Sequence, residues 1–108
     1  MGSMLTSFTE GLSLSKSMNI PLDALLQVLD QGAMANPMFK GKGDAIIKGT
    51  YTTNFPLKHA QKDMGLALAL AEKQGLSLPT ATASNELYKK ALAEGNGDED
   101  FCAVFKSI

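Results

Sequence analysis

The 108-residue chain carries ten lysines against eleven acidic groups, no arginine, one histidine and one cysteine, and 44% of its residues are hydrophobic. That length holds one compact domain able to bury about two thirds of its unfolded surface without disulfides or structural metal; the lone Cys102 forms no internal bridge, and one His with one Cys excludes the usual Cys/His zinc site. A net charge of −1 with dispersed lysines speaks against an extended nucleic-acid surface, and no apolar run approaches the roughly 20 residues of a bilayer span, so composition points to a soluble, intracellular protein of a reducing compartment with neither nucleic acid nor membrane as partner.

Glycine and proline punctuate the chain into five or six segments whose apolar residues recur at three and four positions, which predicts an all-α bundle of five to six helices. The first, Met1 to Lys16, places Met1, Met4, Leu5, Phe8 and Leu12 on one stripe. It lacks an N-cap residue and reads as a helix entered part-way along. The second, Pro21 to Gln31, opens on proline, turns Leu22, Leu25, Leu26 and Leu29 to the core, and stops at Gly32. After the connector Ala33 to Asn36, the third runs from Pro37 to Lys48, weakened by Gly41 and Gly43. Gly49 to Asn54 is polar and reads as a loop.

The fourth segment, Pro56 to Gln74, is apolar on nearly every face from Met64 to Ala71, which predicts a helix buried through the middle of the domain. The fifth runs from Thr80 to about Ala93. The last opens on Asp98, Glu99 and Asp100, acids suited to the positive end of a helix dipole, and continues with the stripe Phe101, Val104, Phe105, Ile108.

Chemistry concentrates at the start of the fourth segment, where Lys58, His59, Lys62 and Asp63 follow Phe55. On a helix His59 and Asp63 are neighbours, as are Lys58 and Lys62, while Lys62 and Asp63 diverge by about 100°. Such a cluster is either a solvated helix end with weak ion pairs or a ligand site whose ammonium meets an anion and whose carboxylate holds a hydroxyl. Pro56 fixes Phe55 in an extended conformation, as a hydrophobic staple or as a pocket wall. Gly41-Lys42-Gly43 lacks the strand and third glycine of a dinucleotide cradle. Cys102, beside the last core stripe, reads as a small buried hydrophobe.

Gly32-Ala33-Met34-Ala35-Asn36-Pro37-Met38-Phe39-Lys40-Gly41-Lys42-Gly43, Phe55-Pro56-Leu57-Lys58-His59, Lys62-Asp63-Met64, Ala83-Ser84-Asn85-Glu86-Leu87-Tyr88-Lys89-Lys90-Ala91 and Gly97-Asp98-Glu99-Asp100-Phe101 together resemble, in order and over nearly the whole chain, the C-terminal domain of the β-hydroxyacid dehydrogenases. The likeness is to plant-type glyoxylate/succinic semialdehyde reductases first and to 3-hydroxyisobutyrate dehydrogenases next. It implies the helical fold of the 6-phosphogluconate dehydrogenase C-terminal-like domains, closing over a small aldehyde or hydroxy acid. It also implies an N-terminal Rossmann domain that binds NADP(H), with NAD the other option, and that lies outside these 108 residues; a homodimer or tetramer; and a proton-donor lysine upstream of Met1. By matching position, Phe55 resembles the substrate-pocket aromatic, Lys62 the lysine that reaches toward the cofactor, and Asp63 the acid that supports the substrate. Gly65 departs from the family, where a basic residue commonly follows Lys-Asp-Met, and Cys102 stands where serine is usual. The isolated chain is expected to bind no cofactor and to be catalytically silent, and the alternative role is a non-catalytic oligomerisation module.

Overall fold

The computed structural model describes residues 1–108 and contains five α-helices, α1 (Gly2–Ser17), α2 (Leu22–Asp30), α3 (Pro37–Lys48), α4 (Leu57–Lys73) and α5 (Pro79–Ala93), followed by a 3₁₀ helix, Phe101–Ser107. The all-α expectation holds, and most helix ends fall within a residue or two of the prolines and glycines read as their breaks. Asn36 caps α3, its Oδ1 accepting the Phe39 N–H at 2.9 Å with Pro37 at the first helical position. Gly49 closes the same helix in the left-handed conformation, φ 65°. No side chain caps α1. Pro21 flanks α2 rather than opening it, with ψ 127°.

Gly43 does not weaken α3 to no purpose. A Cβ there would meet both methyls of Leu26 at 2.7 Å, so glycine lets α2 and α3 approach closely. Phe8 of α1 and Phe39 of α3 stack with ring centroids 4.4 Å apart.

The core departs from expectation in what lies at its centre. The leucines and alanines of α4 do not run through the middle: only Leu57, Ala60 and Ala71 are buried, while Leu66 and Leu70 are 63% and 61% exposed. An apolar helix is buried only where neighbours cover each side, and α4 packs chiefly along α5. The central element is the 3₁₀ helix, which touches α1, α3, α4 and α5. Phe101, Cys102, Ala103 and Val104 are all buried, against Leu5 and Leu12 of α1 and Tyr88 and Ala91 of α5. Four consecutive buried residues leave no polar side, so the α-periodic stripe read from the sequence does not describe this segment; Ile108, the last member of that stripe, is exposed. Burying Leu5 and Leu12 completely is worth about 1.5–3 kcal/mol each.

Polar groups also enter the interior, each with a partner. Thr6 and Ser84 hydroxyls join α1 to α5 at 2.8 Å, and the Tyr88 hydroxyl donates to the Gly2 carbonyl at 3.2 Å. No helix is long and apolar enough to cross a membrane.

Candidate functional site

The loop between α3 and α4 is laced to the strand-like stretch before the 3₁₀ helix. Asp100 N–H donates to Tyr51 O at 3.0 Å, Phe101 N–H to Phe55 O at 2.9 Å, Leu57 N–H to Glu99 O at 2.9 Å and Lys58 N–H to Gly97 O at 3.0 Å. These bonds satisfy N–H groups at the start of α4 that no helical carbonyl can reach. They also fix where α4 begins relative to the core.

Phe55 stands at that junction, half-buried. Its ring meets Phe101 edge to face at 5.7 Å and lies 6.4 Å from the exposed His59 imidazole. One turn further along α4, Lys62 Nζ lies 3.2 Å from Asp63 Oδ1, both side chains more than half exposed. The divergence expected of adjacent helical positions is overcome by the length of the lysine chain, so these two pair with each other, and no ion pair joins Asp63 to His59. Lys58 bonds to Asp98 at 2.5 Å, and this hydrogen bond, aided by the Lys58 charge, holds the Asp98 carboxyl below its ordinary value. The charged end of α4 thus faces solvent, with Lys62 and Asp63 held only by each other.

The turn after Asp63 abuts the start of α1. A Cβ on Gly2 would come within 2.6 Å of Met64 Sδ, so glycine permits this contact. Gln61 Nε2 donates to the buried Asn85 Oδ1 at 3.3 Å, tying the same turn to α5. Gly65 has no such role: its nearest neighbour to an added Cβ is Gln61 Nε2, at an ordinary 3.7 Å.

Two residues that sequence reasoning left out of the site, Lys42 and Asp100, meet beneath Phe55. Asp100 is 2% exposed; Oδ2 accepts from Lys42 Nζ at 2.8 Å, from Asn54 N–H at 3.0 Å and from Phe55 N–H at 3.2 Å, and Oδ1 from Cys102 N–H at 3.1 Å. Burial pushes this carboxyl up, but the Lys42 ammonium and the Cys102 and Asn54 amides prevail and hold it below its ordinary value. Lys42 Nζ also lies 5.1 Å from the centre of the Phe101 ring. A cavity of about 230 Å³ is lined by the pair together with Thr52, Asn54 and the first turns of α3. Of the acids Asp98 to Asp100 read as serving a helix N-terminus, Asp100 does so, accepting the Cys102 N–H, while Asp98 and Glu99 pair with Lys58 and Lys106. The signal missed was pairing across 58 residues, which no local spacing reveals.

Cys102 is buried as expected. Burial and the neighbouring Asp100 carboxylate push its thiol up to about 12, so it is protonated and unreactive near neutrality. No group of His, Cys, Asp and Glu is arranged to hold a metal ion.

A family model described as NAD-binding of NADP-dependent 3-hydroxyisobutyrate dehydrogenase matches residues 1–108. Glyoxylate/succinic semialdehyde reductase 1 of Arabidopsis thaliana is 53% identical over 108 residues, all of this chain and 37% of the relative, and the chloroplastic reductase 2 of the same plant is 51% identical over 108 residues, all of this chain and 30% of the relative. A solved 3-hydroxyisobutyrate dehydrogenase from Salmonella typhimurium superposes with a TM-score of 0.94 at 28% identity, covering 99% of this chain and 38% of that one. The chain therefore spans about a third of the length of the relatives it matches.

Proposed function

Because the chain belongs to the β-hydroxyacid dehydrogenase family and corresponds to its C-terminal helical domain, we propose that it forms the substrate-side half of an NADP(H)-dependent reductase acting on glyoxylate or succinic semialdehyde. The observation that carries this reading is the 53% identity with an Arabidopsis enzyme of that name over every residue of the chain. The geometry supports it. Phe55 offers a half-buried apolar wall, and Asp63 an exposed carboxylate suited to accept a substrate hydroxyl.

Lys62 is the side chain here that fits a dinucleotide. Its ammonium is more than half exposed and its partner equally so, hence an anionic or amide oxygen of the cofactor displaces an ion pair worth under about 1 kcal/mol. When bound, the cofactor supplies the hydride delivered to the carbonyl carbon. With no arginine in the chain, an anion is met by lysine or by backbone N–H groups. The proton donor of this reading is a lysine preceding Met1, on a continuation of α1. The Gly2–Met64 contact places that end of α1 beside the turn that follows Lys62 and Asp63. Association into dimers or tetramers belongs to the same reading, and the exposed Leu66 and Leu70 of α4 supply apolar surface for it.

The test is a chimera in which these 108 residues replace the matching region of Arabidopsis reductase 1. Expected is NADPH-dependent reduction of glyoxylate or succinic semialdehyde, lowered about 100-fold or more in kcat/KM by Asp63→Ala and about tenfold by Lys62→Ala. A chimera that folds and binds NADPH yet turns over neither aldehyde overturns the reading, and so does steady turnover by the 108-residue chain alone.

A further inference from the structure

The loop that carries Phe55 has no regular structure of its own, and Thr52, Thr53 and Asn54 are exposed. Pro56 restricts the backbone of Phe55 but does not determine where the ring stands against the core. Something outside the loop has to do so. Asp100 Oδ2 accepts both the Asn54 and the Phe55 N–H, while the Phe55 carbonyl accepts the N–H of Phe101, the residue after Asp100. Phe55 is therefore gripped at both ends of its backbone, and its ring rests edge-on against Phe101. The carboxylate that makes this grip is itself held by the Lys42 ammonium, which reaches in from α3.

We propose that Asp100, held by Lys42, is a positioning residue that sets Phe55 as the wall of the substrate pocket. The inference rests on the reading of Phe55 given above. A pair kept only for stability has no need to direct one oxygen at two successive amides of an exposed loop, and buried ion pairs are often replaceable by apolar residues without loss. An apolar wall contacts bound substrate and transition state alike, so displacing it weakens both equally. The signature of that loss is a higher KM with kcat unchanged, whereas a destabilised fold lowers the active fraction and leaves KM alone.

The experiment uses the chimera and the 108-residue chain side by side. In the chimera, Asp100→Asn is expected to raise KM for succinic semialdehyde about tenfold with kcat within about twofold, and Phe55→Ala to do the same. Combined, the two substitutions give no more than the Phe55→Ala effect, because Asp100 acts through Phe55. In the chain itself, Asp100→Asn speeds hydrogen exchange of the Asn54 and Phe55 amides about tenfold or more, with α1 and α5 unchanged. Lys42→Gln, which keeps a donor to the carboxylate but removes the charge, gives the same pattern at smaller size and serves if Asp100→Asn does not fold. An unchanged KM, a fall in kcat alone, multiplicative effects in the combined variant, or unaltered amide exchange each overturn the inference while the functional reading stands. An unsubstituted chimera that folds, binds NADPH and turns over neither aldehyde overturns both.

Discussion

Asp63 and Asp100 are the same residue type in opposite surroundings. Asp63 lies in solvent on α4 with one equally exposed lysine; Asp100 lies under the α3–α4 loop with one ammonium and three amides. The first is poorly satisfied and accessible, hence able to exchange its partner for a ligand. The second is saturated, and any change to it is felt through every group it holds. Proximity to Phe55 alone does not tell which acid touches substrate; the degree to which each is already satisfied does.

This contrast breaks most sharply on removal of each acid. Asp100→Ala leaves the half-buried Lys42 ammonium and three amides without their acceptor and is expected to destabilise the chain by about 3–5 kcal/mol in urea unfolding, or to unfold it outright. A loss under about 1 kcal/mol would place Asp100 with the surface acids.

Titration separates the interior from the surface next. The Asp100 carboxyl is held below its ordinary value, so the stability it contributes is complete above about pH 5 and is lost as pH falls below about 4, the range in which the unfolded carboxyl gains its proton first. Asp100→Asn should flatten that acid limb. At the other extreme the Cys102 thiol is pushed up to about 12 by burial and Asp100, so its contribution is complete below about pH 8 and lost as pH rises from about 9, where the unfolded thiol ionises and the folded one does not. Burial also raises Tyr51 and Tyr88, which steepen the same limb. Urea midpoints across pH should therefore fall at the alkaline end, and less so in Cys102→Ala; equal slopes would refute the role of the thiol.

Two small effects sharpen the picture at the exposed end. Gly65→Ala makes only an ordinary van der Waals contact with Gln61 Nε2 and introduces a better helix former, so thermal unfolding should show a gain of about 0.5–1 kcal/mol. Lys62→Ala and Asp63→Ala should each stay within about 0.5 kcal/mol of the unsubstituted chain while the chimera loses activity. A large stability loss in either would mean that the pair serves the fold.

Most of the helical framework is legible in the sequence because proline and glycine mark its breaks, and α3, from Pro37 to Lys48, falls between the residues read for it. The loop preceding Phe55 and the charged first turns of α4 are legible for the same local reasons. Local pattern fails where burial depends on what lies opposite. It cannot distinguish Leu66 and Leu70, exposed on an apolar helix, from core leucines, nor show that Phe101–Val104 occupies the centre. Nor can it pair Lys42 with Asp100, since each taken alone reads as surface charge. That central placement also removes the polar side on which a one-sided stripe depends, since Phe101 to Val104 are all enclosed.

That central placement has a consequence for synthesis. Phe101–Ser107 follows all five α-helices in the order in which the ribosome delivers them, yet it is the piece against which α1, α3, α4 and α5 pack. Until it has left the exit tunnel, Leu5, Leu12 and Tyr88 lack the segment packed between them, and the helices can form but not close. Closure of the five helices therefore waits on the delivery of Phe101–Ser107, and a chain cut short before Phe101 has five helices and no centre.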